Sequence, residues 1–183
     1  LSVASGTLTL DDSDSTLDVL DVTNLDLKGK LQLHVLKNNP TFGSVCINAA
    51  DGDGSGDGDN SGDGSGSGDN SGDGSGTGNT SVSLSIQNDI TVTGNWSNEV
   101  GEAGFTHNNK IVNFTGSGAT ITGDNNFAEA NFIGDNIQLN GNNTITTANF
   151  TGSGATISGE NNFAEANFTG SGATITGDNN FAE

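Results

Sequence analysis

Carboxylates spaced for a cation are the first residues in the sequence that could do chemistry. Asp51, Asp53, Asp57 and Asp59 alternate with glycine and serine. The run Asp51-Gly52-Asp53-Gly54-Ser55-Gly56 starts like a calcium loop. Its twelfth position is Gly62, where such a loop needs a bidentate glutamate. The apolar residue with which a calcium β-roll builds a core is missing as well. The spacing supports weak Ca²⁺ association at most, and no other cofactor is expected. A solvated acidic linker is the simpler reading.

A second array consists of hydroxyls. Thr120-Ile121-Thr122, Thr156-Ile157-Ser158 and Thr174-Ile175-Thr176 place Thr120, Thr122, Thr156, Thr174 and Thr176 on the outward side of strands. Regular threonine ranks on a flat β-face resemble those of ice-binding proteins. The array is broken at Gln138-Leu139-Asn140, and threonine is in any case a good strand residue.

Acid–base and nucleophilic candidates are sparse. His34 and His107 fall in different parts of the chain, with His34 read as outward-facing. Glu129, Glu165 and Glu183 share one repeat position, which reads as a file of solvated carboxylates. Cys46, the sole cysteine, lies between Val45 and Ile47 and reads as a buried small hydrophobe. The chain is therefore expected not to be an enzyme. The sequons at Asn95, Asn113, Asn142, Asn149 and Asn167 mostly follow from the repeat itself.

Charge narrows the partners. Among 183 residues, 23 are acidic and four basic, for a net charge of −19. The basic residues are Lys28, Lys30, Lys37 and Lys110, with no arginine. Such a chain repels phosphate backbones and anionic headgroups, so nucleic acid is not an expected partner. The chain has no apolar stretch long enough to span a bilayer. It stops within a repeat at Phe181-Ala182-Glu183, which suggests part of a larger exported protein.

The elements that position these groups fall into three parts. Residues 1–50 form a β-rich block with period-two alternation, as in Leu31-Gln32-Leu33-His34-Val35. Residues 51–78 are a Gly/Asp/Ser tract with nothing to bury, read as a linker or loop. Residues 79–183 carry the repeat: Asn113–Ala130, NFTGSGATITGDNNFAEA, recurs from Asn131, Asn149 and Asn167, each 18 residues on.

Three apolar columns run through it. Trp96, Phe114, Phe132, Phe150 and Phe168 form one. Ile121, Leu139, Ile157 and Ile175 form the second, and Phe127, Ile145, Phe163 and Phe181 the third. Within the unit, Ala119 and Ile121 are expected inward, as are Ala128, Ala130 and Phe132. Gly116, Gly118, Gly123 and Asp124-Asn125-Asn126 are expected at corners with positive φ. Glycine and asparagine density excludes helix. A fixed period whose unit buries too little to stand alone predicts stacked coils. The fold class is thus all-β, a parallel β-helix of 18-residue coils, with Asn113, Asn149 and Asn167 forming amide ladders beside the phenylalanines.

From Asp89 to Phe127 the sequence, with its Gly94-Asn95-Trp96-Ser97-Asn98 and Val112-Asn113-Phe114-Thr115-Gly116-Ser117-Gly118 motifs, resembles repeats of bacterial surface proteins. It is similar to the passenger β-helices of autotransporters, filamentous-haemagglutinin-like adhesins and polymorphic outer-membrane proteins. The resemblance implies a right-handed parallel β-helix displayed at a cell surface. The expected function is a non-enzymatic structural or adhesive protein, secreted or on the bacterial outer surface. Its ligand would be a host-surface, matrix or carbohydrate group, and end-to-end self-association is a further expectation. Ice- or calcium-binding modules are the alternatives, followed by a polysaccharide-acting enzyme. A short match to the curli repeat at Gly123, Asn126 and Ala128 leaves amyloid-like stacking open.

Overall fold

The computed structural model of the chain describes residues 1–4, 7–10, 20–34, 36–48 and 82–182. They form an all-β solenoid of about seven turns whose strands pair in parallel. The only helical piece among them is the short 3-10 turn Glu102–Gly104.

Three ladders run along the stack. In the first, Ile90–Val92, Ile111–Phe114, and then the second halves of Asn126–Phe132, Thr144–Phe150 and Asn162–Phe168 lie side by side in register. The second ladder joins Trp96–Asn98, Thr120–Gly123, Gln138–Leu139, Thr156–Ile157 and Thr174–Ile175. The third holds the first halves of the long strands, where Phe127, Ile145, Phe163 and Phe181 pair in order. On the N-terminal side, a separate sheet of Thr7–Leu10, Lys30–Leu33, Ser83–Ser85 and Phe105–Thr106 precedes it.

The β-rich block at the N-terminus is continuous with this solenoid. Thr41–Ile47 pairs through Phe42 with Val92 and through Val45 with Trp96. Asp21–Leu27 stacks on Thr41–Ile47, and Ser2–Val3 stacks on Asp26 and Leu27. Residues 49–81, including the Gly/Asp/Ser tract, lie outside the described residues. The strands flanking them, Thr41–Ile47 and Ser83–Ser85, both belong to the stack.

Corners correct part of the expected alternation. Pairing lapses at Ala128 between Phe127 and Glu129, and again at Thr146 and Ala164. Ala128 and Glu129 are both only half-buried, while Phe127 and Ala130 are fully inside. Ala128 therefore faces outward: a bend needs two successive outward residues, which resets the period-two pattern. The same signature occurs at Thr23 and Asn24, between buried Val22 and Leu25.

Positive φ is found at Gly118 and Gly123, but not at Gly116 or at Asp124-Asn125-Asn126. Gly116 is needed for close approach instead: a Cβ there would lie 2.1 Å from the Thr93 carbonyl oxygen. Asn136 adopts φ 57 where other coils have Gly118, Gly154 and Gly172, consistent with asparagine's tolerance of the left-handed region.

Candidate functional site: the ladders and their outer faces

The core is made of continuous side-chain stacks. Phe132 and Phe150 lie with centroids 4.4 Å apart and planes 9° from parallel. Phe114–Phe132 and Phe150–Phe168 stack likewise at 5.4 and 4.7 Å. The Ile121, Leu139 and Ile157 column is buried throughout, as are Phe127, Ile145 and Phe163. At the last coil, Phe168, Ile175 and Phe181 are partly exposed.

Trp96 is buried but belongs to a different column from the one expected. It pairs with Ile121, while Val92 is the residue that pairs with Phe114. The corner between Val92 and Trp96 is shorter than that between Phe114 and Ile121, so a uniform 18-residue count misplaces the tryptophan. Its ring instead meets Phe105, Phe114 and Phe127 near edge-on, at centroid distances of 5.0, 6.0 and 5.7 Å.

A buried amide ladder was not foreseen. Asn98, Asn125, Asn143 and Asn161 are each at most 2% exposed. Nδ2 of Asn125 donates to Oδ1 of Asn143 at 2.8 Å, Asn143 donates to Asn161 at 2.7 Å, and Asn161 donates to Asn179 at 2.7 Å. Among the described residues no buried side-chain polar atom lacks a partner. The only signal in the sequence is that Asn125, Asn143, Asn161 and Asn179 recur 18 apart within apparent turn motifs.

An outer amide ladder matches expectation and adds Asn131. Asn131 donates to Asn113, Asn149 to Asn131, and Asn167 to Asn149, at 2.8, 2.8 and 3.0 Å. The glutamate file is interrupted: Thr147 pairs with both Glu129 and Glu165, so these carboxylates stand two coils apart. Each receives an asparagine amide, Glu129 from Asn149 and Glu165 from Asn167. They make no acid–base pair.

The threonine ranks are in register on the second ladder. Thr120, Gln138, Thr156 and Thr174 pair in sequence, and Thr122 and Thr176 take part in the neighbouring rank with Asn140 and Ser158. Hydroxyls of Thr122 and Thr176 donate to the carbonyls of Trp96 and Ile157 at 3.4 and 3.3 Å. Ser158 donates to Asn140 at 2.7 Å. These bonds tie the rank to itself as well as presenting it to solvent.

Cys46 is half-buried and faces outward, between inward Val45 and Ile47, which corrects its reading as a core residue. Desolvation pushes its thiol pKa up, aided by Asp26 and Glu99. His34 is exposed. His107 accepts the Asn109 backbone N–H on Nδ1 at 2.9 Å, and burial lowers its pKa. A shallow cleft of about 510 Å³ lies at the corner between Ser97–Gly101 and Thr122–Asp124. Among the described residues no group of three or more His, Cys, Asp or Glu is placed to hold a metal. Asp51, Asp53, Asp57 and Asp59 fall outside the described residues.

No protein family, curated protein or solved structure matches the chain.

Proposed function

We propose that this chain is a non-enzymatic structural or adhesive module of a secreted or cell-surface protein, with the solenoid as a rod and its outer ranks as the contact surface. The observation that carries this reading is the division of labour among side chains. Inward positions are Phe, Ile, Leu and hydrogen-bonded Asn; outward positions are Thr, Ser, Asn and Glu repeating at the coil spacing, about 4.8 Å. A periodic polar surface suits a periodic ligand, such as a polysaccharide or matrix polymer, held by many weak equivalent contacts. The net charge of −19 favours neutral or cationic ligands over phosphate-rich ones.

The test is retention on glycan- and matrix-coated surfaces under flow, using the whole chain. Thr120→Lys with Thr156→Lys should reduce retention at unchanged circular dichroism. Retention equal to that on an uncoated surface, for every coating tried, overturns the reading.

Registry of Thr120, Thr156 and Thr174 supports a second reading, an ice-binding face. Gln138 interrupts the rank. Thermal hysteresis at high protein concentration distinguishes it from adhesion.

A further inference from the structure

From Asp21 onward, successive coils of the described residues are joined by strand pairing on three faces, with one exception inside the stack. Between residues 90–106 and the next coil, residues 111–127, only two faces pair: Val92 with Phe114, and Trp96 with Ile121. On the third face, Phe105–Thr106 ends its four-stranded sheet and pairs with no strand of the following coil. The cause is the inserted 3-10 turn Glu102–Gly104, which keeps its backbone donors to itself. Gly104 N–H bonds to the Gly101 carbonyl at 2.8 Å, and Phe105 N–H bonds to the Glu102 carbonyl. The Phe105 donor is thereby withdrawn from the ladder that Asn126 and Phe127 would continue.

Side chains hold this face instead. Phe105 and Phe127 meet at 5.6 Å with planes 55° apart. Trp96 Nε1–H and Asn98 Nδ2 both reach across to Asn125 Oδ1, at 2.8 and 3.2 Å. The shallow cleft opens at the same junction, with Ser97–Gly101 on one side and Thr122–Asp124 on the other. Glu99 and Asp124 put like charge on both of its lips, which opposes closer approach. Outside, Glu102 reaches past the next coil: its Oε1 accepts the Thr144 hydroxyl at 3.1 Å, two coils on.

We propose that this junction is a hinge in the rod, with Glu102 and Thr144 as its clasp. The coils from residue 111 onward swing as a body about the two ladders that remain, parting Phe105 from Phe127 and widening the cleft. No strand pairing has to break on the third face, because none joins the two coils there. The motion costs the ring contact, the two bonds to Asn125 and the clasp. Opening any other junction from Asp21 onward would break backbone pairing on whichever face parts, which places those junctions at higher free energy. The hinge is a property of the stack and holds whatever the outer ranks bind.

Hydrogen exchange of the 183-residue chain, followed by NMR over a series of low urea concentrations, is the test. Trp96 is fully buried, so its indole N–H exchanges only when the junction opens. Thr144 N–H, bonded to the Asn125 carbonyl at 2.8 Å one junction further on, moves with the swinging body and stays covered. The expected result is a protection factor at least about tenfold lower for the indole than for the Thr144 amide, with a weaker urea dependence. Glu102→Ala removes the clasp and should speed indole exchange by about two- to tenfold, leaving the Thr144 amide unchanged. Glu160→Ala, which removes the same charge from an exposed position away from the junction, should change neither. Equal protection with equal urea dependence at the two sites, an indole rate indifferent to Glu102→Ala, or the same response to Glu160→Ala overturns the proposal.

Discussion

The indole Nε1–H of Trp96 donates to Oδ1 of Asn125 at 2.8 Å, inside the core where both residues are fully buried. Nδ2 of Asn98 donates to the same oxygen at 3.2 Å, and Asn125 then uses its own Nδ2 to reach Asn143. A buried tryptophan needs a partner for its N–H, and the first asparagine of the repeat supplies it.

Removing a link in the middle of that ladder should be costly. Asn143→Ala removes the side-chain acceptor that Asn125 Nδ2 reaches and leaves Oδ1 of Asn161 with only the backbone N–H of residue 143. Each unsatisfied buried group costs about 1–3 kcal/mol, and urea titration should show a loss in that range or above. Asn142→Ala, one residue away on the exposed side, should change stability little.

Two glycines should respond to alanine for different reasons. At Gly152 a Cβ would lie 2.1 Å from the Gly134 carbonyl oxygen, so Gly152→Ala must push adjacent coils apart. At Gly118 nothing lies within 4 Å, and the only obstacle is φ +74. Gly118→Ala should cost about 1–2 kcal/mol, and Gly152→Ala more. Urea midpoints of the two variants, compared side by side, check the order.

Within the phenylalanine stack, position along the rod should set the cost. Phe150 is 2% exposed between two rings, and Phe150→Ala should lose about 3–5 kcal/mol. Phe168→Ala, at 38% exposure in the last coil, should lose clearly less. Thermal melts of the two variants give the comparison.

The lowered pKa of His107 predicts a specific acid sensitivity. Its folded value lies below the ordinary 6.5, so the folded state binds the proton less well than the unfolded chain does. The contribution to stability is intact above pH 6.5 and declines as pH falls through that value toward the folded pKa. His107→Gln should flatten this part of the stability–pH profile, measured by urea titration at a series of pH values.

Cys46 should react slowly for a half-exposed thiol. Burial, Asp26 and Glu99 all disfavour the thiolate. Alkylation by iodoacetamide at neutral pH should be slower in the folded chain than in urea, and Asp26→Asn should accelerate it in the folded chain.

Much of the fold can be read where identity repeats. Phe127, Ile145, Phe163 and Phe181 recur at a constant interval, so their column follows from counting. Counting fails at Trp96, because the coil containing it has a short corner before the tryptophan and the inserted turn Glu102–Gly104 after it. The first three coils share the architecture without sharing the motif. Leu25, Val45 and Trp96 are neighbours through strand register alone. Asn125 resembled a corner residue because Asp-Asn-Asn is turn chemistry, and only three-dimensional stacking turns it inward.

The coil from Asn131 to Ala148 departs from the coil at Asn113 at twelve of its 18 positions, among them Ile133, Asn136, Leu139, Ile145 and Thr147. The coils at Asn113 and Asn149 are nearly interchangeable, so a folding chain could loop out the one between them and still lay phenylalanine on phenylalanine. That mistake would set Glu165 directly beside Glu129, where Thr147 now separates them, and like charges placed opposite each other are unfavourable. The irregular coil is a bookmark: it gives an otherwise monotonous tract a way to find its place.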